Sequence, residues 1–230
     1  MKRTFSDRLT DLGIAPEKSI LDLFDSYRDF LIQENQVMNL TSIVDPEEIS
    51  TKHFIDSLAL AKTIHFVNQT ILDVGSGAGF PALPLKIVFP DLRVTLIDST
   101  RKKIDFLKRL TDRLALRDVK LIHGRVEEHP NHGFYDLVIA RAVAKLAILA
   151  ELCLPFVKVG GQFIAMKSSH YEDELQEALQ GIQLLGGSVR QVELYPVEED
   201  VHHALIVIQK DRKTPAGYPR TFARIKKQPL

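Results

Sequence analysis

The chain has 230 residues, 45% of them hydrophobic and 26% charged, enough apolar material for a packed core and too little bias for disorder, a fibre or a low-complexity protein. Its 30 basic and 30 acidic residues cancel, so the sum names no partner and only the distribution of charge informs. No apolar run reaches the roughly 18 residues that span a bilayer, Met1-Lys2-Arg3-Thr4-Phe5 leads into polar residues instead of a signal sequence, and the lone Cys153 excludes an internal disulfide. A reducing cytoplasm is the expected location, without a membrane partner.

Residues 17–38 carry Ile20, Phe24, Tyr27, Leu31 and Met38 near a 3.6-residue period, which predicts a helix broken at Asn39-Leu40-Thr41. Asp45-Pro46 reads as a helix start, and Phe54, Leu58, Ala61 and Ile64 predict a second helical segment over His53 to Val67. Beyond residue 69 the pattern changes to short aliphatic runs: Thr70 to Val74, Arg93 to Asp98, Val119 to His123, Tyr135 to Ala140 and Gln162 to Lys167. Strands alternating with helices predict a parallel α/β sheet. Between the second and third runs, Ile104, Leu107, Leu110 and Leu114 form one apolar stripe on a helix. A turn-like Tyr195-Pro196 and an acidic stretch precede Ala204 to Ile208, which is expected to add a last strand.

Charge is segregated along this plan. Arg101, Lys102, Lys103, Lys108, Arg109, Arg113 and Arg117 are opposed locally only by Asp105 and Asp112, and Lys210, Arg212, Lys213, Arg220, Arg224, Lys226 and Lys227 only by Asp211. Acids concentrate instead between Glu172 and Asp200. A polyanion could meet the first two segments and avoid the third.

The run Ile71-Leu72-Asp73-Val74-Gly75-Ser76-Gly77-Ala78-Gly79-Phe80-Pro81 sets a glycine turn directly after a strand, with Pro81 and Pro84 where a helix's first turn tolerates them. The next strand ends at Asp98, whose carboxylate suits ribose hydroxyls, so an adenosine-containing ligand is expected. A dinucleotide fingerprint wants glycine at position 80, where Phe80 stands; Asp73 with glycines at 75, 77 and 79 instead resembles motif I of S-adenosylmethionine-dependent methyltransferases. The fourth strand ends Ala140-Arg141-Ala142-Val143, without the Asp/Asn-Pro-Pro-aromatic pattern associated with exocyclic amine methylation, and Cys153 sits in an apolar run unsuited to a nucleophile. An acceptor such as guanine N7, with a lone pair and no proton, needs neither a base nor a nucleophile, only alignment. His53 with Asp56 resembles a metal or acid-base pair, but two ligands close no site, so no metal is expected. A methyltransferase for a small molecule and a non-catalytic RNA-binding assembly module remain the alternatives.

Asn39-Leu40-Thr41, His53-Phe54-Ile55-Asp56-Ser57-Leu58, Asp73 through Pro84, Asp98-Ser99 with Lys102-Lys103, Gly124-Arg125-Val126-Glu127-Glu128, Arg141-Ala142-Val143 and Tyr218-Pro219-Arg220 together resemble the 16S ribosomal RNA guanine-N7 methyltransferase family, also called glucose-inhibited division protein B. The resemblance runs nearly end to end. It implies a Rossmann-like class I methyltransferase sheet with helices on both faces, preceded by a helical extension (1–69), spanning 70–210 and followed by a basic tail (211–230). It also implies S-adenosylmethionine as cofactor and 16S rRNA or the small subunit as partner of a monomer. Asp73, Gly75, Gly77, Gly79, Phe80, Asp98, Val126, Glu127 and Arg141 are the expected cofactor residues, Arg141 doubling as a positioning candidate. Arg101, Lys102, Lys103, Lys167, Arg220, Arg224, Lys226 and Lys227 are the expected RNA contacts. Ala82 stands where the family commonly has glycine, Ala140 where it often has serine, and Thr221-Phe222-Ala223-Arg224 replaces the usual lysine and Gly-x-Pro of the tail.

Overall fold

The computed structural model describes residues 3–141, 144–198 and 200–230; Ala142 and Val143 of the expected fourth-strand motif, Met1 and Lys2, and Glu199 of the acidic stretch lie outside the described residues. Helix α1 (Phe5–Asp11) opens on a reciprocal cap, the Thr4 hydroxyl accepting the Asp7 amide and the Asp7 carboxylate accepting that of Thr4. Helix α2 (Lys18–Met38) follows the predicted span to within a residue and ends where Asn39 takes a left-handed conformation (φ 51°). The buried Asn35 amide then accepts the Leu40 and Thr41 amides and donates to the Thr41 carbonyl, which fixes the Asn39-Leu40-Thr41 turn.

Asp45 caps α3 (Pro46–Ile49), accepting the amides of Glu47 and Glu48, as its place before proline predicts. The single helix expected over His53 to Val67 is replaced by a π-helical turn (Ser50–Ile55), a short α4 (Asp56–Leu58) and a 3-10 turn (Ala59–Lys62). Periodicity identifies only the apolar stripe of this segment. His53 and Asp56, on its polar side, have partners as far away in sequence as Arg141 and His203, and a widened turn lets both sides be satisfied.

The sheet comprises β1 (Thr70–Val74), β2 (Arg93–Asp98), β3 (Val119–His123), β4 (Tyr135–Arg141), β5 (Val157–Ser168), β6 (Gly187–Glu198) and β7 (Val201–Lys210), in the order β3-β2-β1-β4-β5-β7-β6. The first five pair in parallel, while β7 runs antiparallel to both β5 and β6. Helices α5 (Ala82–Val88) and α6 (Arg101–Arg113) pack with α2 on one face, and α7 (Leu146–Cys153), α8 (Glu172–Leu184) and the C-terminal α9 (Phe222–Lys227) on the other. Alternation along β1 divides the two cores: Ile71 faces the first and Leu72 and Val74 the second. The stripe Ile104, Leu107, Leu110 and Leu114 is buried as predicted, and Cys153 is a core residue.

Strand β7 extends past the expected Ala204 to Ile208 at both ends, and two departures from expectation are larger. Strand β5 begins five residues early, and β6 replaces the turn read at Tyr195-Pro196 and the acidic stretch around it. A proline and a run of acids are compatible with β6 because it is the outermost strand: the register shifts between Pro196 and Glu198, and side chains on its outer side meet water.

Candidate active site

Strand order reverses between β1 and β4, because β2 and β3 lie to one side of β1 and β5, β7 and β6 to the other; the carboxyl ends at such a switch point leave a crevice. Here it is a cleft of about 440 Å³, lined by Val74, Gly75, Ile97, Asp98, Ser99, Thr100, Lys103, Gly124, Arg125, Val126, Glu127, Arg141, Leu152 and Phe222. That volume is in the range of sites for small molecules, roughly 300 to 1,000 Å³. Gly75 and Gly77 both have positive φ (73° and 56°), a region that favours glycine, and the turn they make exposes backbone to the cleft. The Asp98 carboxylate accepts the Gly77 amide at 3.0 Å and the Thr100 amide at 2.8 Å, with the Lys103 ammonium 3.5 Å away, so glycine turn and strand tip are locked together.

Arg141, at the end of β4, closes one side of this cleft. Its guanidinium donates to Asp56 at 2.9 Å, lies 5.0 Å from the centroid of the Phe80 ring and approaches His53 Nδ1 at 3.4 Å. Asp56 is buried, and its other oxygen accepts Tyr195 Oη and His203 Nδ1, each at 2.7 Å. Burial pushes the Asp56 pKa up, but the His203 hydrogen bond, the Arg141 charge and the Tyr195 hydroxyl outweigh it and hold the carboxyl below its ordinary value. A buried acid thus joins a helical turn to β4, β6 and β7.

His53 completes the cluster, its ring stacked on Phe80 at 4.6 Å and its Nε2 2.9 Å from the Thr41 hydroxyl, on the turn that Asn35 fixes. Burial, and next the Arg141 charge, lowers its pKa from 6.5 to about 4. The unfolded chain therefore takes up this proton as pH falls below 6.5, while the folded chain does not until about 4. Stability is expected to be fully present above 6.5 and to fall by up to about 3 kcal/mol toward pH 4 through this residue alone. Urea midpoints of wild type and His53→Gln at pH 7 and 4.5 would check this; parallel losses in the two proteins would show that His53 titrates normally.

The cleft brings together Gly75, Asp98, Val126, Glu127 and Arg141 of the expected cofactor residues. Asp73, Gly79 and Phe80 are buried outside its lining, and Gly77, half-buried, is tied to it through its amide on Asp98. Asp73 is fully buried and accepts the Ala82 amide at 3.3 Å through one oxygen, while the other has no hydrogen-bond partner among the described residues; burial pushes its carboxyl up to about 8. Gly79 (φ 100°) has no room for a side chain, since a Cβ would stand 2.6 Å from Tyr27 Oη, which donates to the Ala78 carbonyl. Phe80 is buried and stacks on Tyr27 at 5.4 Å. These groups seat the helical N-terminus on the glycine turn.

Of the expected RNA cations, Arg101, Arg224, Lys226 and Lys227 are exposed. Lys102 is exposed too and donates to the Met38 carbonyl, tying α6 to α2. Lys103 lines the cleft beside Asp98. Lys167 is held within the fold, 2.7 Å from Glu174 and bonded to the Ala144 carbonyl. Arg220 donates through its backbone amide, Nε and Nη2 (2.9, 2.7 and 2.5 Å) to the fully buried Glu151 of α7. Its charge is engaged there.

Sequence reasoning passed over Tyr195, His203, Glu151, Leu152 and Phe222. No local pattern marks Tyr195, His203 or Glu151, because their partners lie more than 65 residues away in the chain. The one available signal was Phe222, an aromatic where the tail departs from its family's pattern.

A family model described as rRNA small subunit methyltransferase G (GidB) matches residues 20–201. Proteins named ribosomal RNA small subunit methyltransferase G are 46% identical in Halalkalibacterium halodurans, over 98% of this chain and 98% of the relative, and 49% identical in Staphylococcus carnosus, over 90% and 89%. Among solved structures, a SAM-dependent methyltransferase from Aquifex aeolicus aligns with TM-score 0.59 at 16% identity, covering 74% of this chain and 96% of that one. A methyltransferase from Pyrococcus furiosus aligns with TM-score 0.58 at 16% identity, over 82% and 98%. At such identity the structures establish the class I methyltransferase fold alone. Family match, near full-length relatives and a cleft at the sheet's switch point converge, and the chain belongs to the rRNA small subunit methyltransferase G (GidB) family.

Proposed function

We propose that this chain transfers the methyl group of S-adenosylmethionine to N7 of a guanine in a loop of 16S small-subunit rRNA, acting as a monomer in the cytoplasm where that RNA is made and assembled. The observation that carries the reading is the cleft between the positive-φ glycine turn after β1 and the carboxylate tip of β2. Its donor set fits an adenosyl cofactor: Asp98 faces the space as an acceptor for ribose hydroxyls, Val126 and Leu152 offer apolar wall, and Gly75 leaves the main chain approachable. When bound, that cofactor supplies an electrophilic methyl on a sulfonium whose departure leaves a neutral thioether.

The protein's share of the work is placement. Asp98, oriented by the Gly77 and Thr100 amides, would hold the ribose, and Arg141, oriented by Asp56, would border the acceptor's approach. Guanine N7 has no proton to remove, so alignment of acceptor and methyl suffices. In an A-form helix that edge faces a deep, narrow groove, which makes an unstacked loop base the accessible form. The exposed cations Arg101, Lys102, Arg224, Lys226 and Lys227 would neutralise phosphates around it. In this reading residues 70–210 form the catalytic domain, 1–69 brace the glycine turn and Arg141, and 211–230 contribute the basic tail.

Tritiated methyl transfer to small-subunit RNA lacking the modification, with mapping of alkali-labile N7-methylguanosine, tests the reaction; label at another atom or on no RNA overturns it. Asp98→Ala is expected to weaken S-adenosylhomocysteine binding by about 1.5 to 3 kcal/mol through lost charged hydrogen bonds. Unchanged affinity by calorimetry would remove Asp98 from that role.

A further inference from the structure

The C-terminal tail begins with the composition of a nucleic-acid arm, yet its first half is built into the fold. Arg220 is clamped by three bonds to Glu151, and its Nη2 also donates to the Gln228 carbonyl at 3.0 Å, which turns the tail back on itself. Ile225 is fully buried in the core beneath α7. Leu230 packs so closely on Gly181 of α8 that a Cβ there would meet it at 2.8 Å. Between the Arg220 clamp and the Ile225 plug stands Phe222, half-buried, with one side against the second core and the other on the cleft.

Position along the cleft assigns what the ring meets. Gly75 and Arg141 mark the end at β1 and β4, and Asp98 marks the tip of β2, where the ribose is proposed. Gly124, Arg125, Val126 and Glu127 follow β3, the strand beyond β2, and mark the opposite end. Phe222 belongs to that end: the Arg125 guanidinium lies 5.4 Å from the centroid of its ring, and Arg125 in turn approaches Glu127 at 3.9 Å. A ligand whose ribose meets Asp98 and whose methionine points toward Arg141 places its base between Val126 and Phe222.

We infer that Phe222, presented by the Arg220–Glu151 clamp, forms a wall of the adenine pocket, so that the tail completes the cofactor site. This rests on the cleft being the adenosyl cofactor site. The aromatic face supplies apolar and stacking contact to a purine, and the tail becomes coupled to cofactor: what fixes Phe222 favours binding, and binding holds the tail against α7.

Calorimetry of the full chain with S-adenosylhomocysteine and with adenosine separates the possibilities. Phe222→Ala is expected to weaken both by about 10-fold, or about 1.4 kcal/mol, and Phe222→Tyr to restore most of the loss; Tm should drop modestly in Phe222→Ala, which loses its core contact, and stay near wild type in Phe222→Tyr, with both proteins folded at the assay temperature. Unchanged affinity for S-adenosylhomocysteine in Phe222→Ala, when wild type binds it, overturns the wall. A loss for S-adenosylhomocysteine with none for adenosine overturns its assignment to the base. Failure of the wild type to bind either ligand instead overturns the reading of the cleft itself.

Discussion

Arg220→Ala is expected to destabilise the fold by about 3 to 5 kcal/mol, the cost of leaving a buried ion-pair partner without its counter-charge. Glu151 is fully buried, and among the described residues the guanidinium of Arg220 supplies two of the three hydrogen bonds its carboxylate receives. With only the residue 220 amide remaining, the carboxylate must protonate, recruit water or release the tail, and each route loosens the packing of Ile225 and Leu230. The loss should appear as a lower urea midpoint and Tm together with weaker S-adenosylhomocysteine binding. Replacing both partners by apolar residues, Arg220→Met with Glu151→Leu, should recover much of the stability, since it is the unpaired charge that is costly. Neutralising the exposed Lys226 and Lys227 is the contrasting case: stability within about 0.5 kcal/mol of wild type, and RNA binding that is weaker and less salt-dependent. An Arg220→Ala protein with wild-type Tm would show the clamp to be dispensable.

The second large effect is expected at Asp56. Its carboxylate is the meeting point of Arg141, Tyr195 and His203, and Asp56→Asn leaves a mostly buried guanidinium facing a neutral amide, again a loss of up to about 3 to 5 kcal/mol. The sign of its pH dependence is fixed by the lowered pKa of Asp56: stability from this network is present above the ordinary carboxylate pKa of 3.8 and lost as pH falls through the lower folded value. Function should fall further than stability explains. Arg141 borders the cleft, and misplacement of a positioning group by about 1 Å can cost on the order of 10²-fold in rate. The expected split is a large drop in kcat for methyl transfer at temperatures where Asp56→Asn remains folded, with Tyr195→Phe intermediate because only one hydrogen bond is lost. Equal kcat in wild type and Asp56→Asn, measured on folded protein, would reduce the network to a structural staple.

Much of the sheet is legible without coordinates. The first three strands begin and end where the aliphatic runs do; for β1 and β2 the reason is that a parallel strand covered on both faces has to be apolar at nearly every position, and the half-buried edge strand β3 keeps the pattern through Val119, Leu121 and Ile122. The outermost β6 escapes that rule. With one edge and much of its surface in water, it carries Arg190, Glu193, Pro196 and Glu198 and reads as a loop. The segment after Asp45 fails for a related reason, since amphipathic period locates its buried side but says nothing of polar groups whose partners come from other elements.

Local chemistry is what the sequence determined by itself: a glycine turn needing positive φ after β1, a carboxylate at the tip of β2, the capped helix starts and the apolar stripe of α6. Each depends on residues a few positions apart, so spacing alone specifies it. Tertiary structure decided which charges are free and which are spent. Lys167 and Arg220 look like their exposed neighbours in a string of letters, yet they are tied by carboxylates 7 and 69 residues away, while Asp56 gathers partners from β4, β6 and β7. Burying a charge is tolerable only beside an opposite one, and which opposite one is supplied is a property of how distant segments pack.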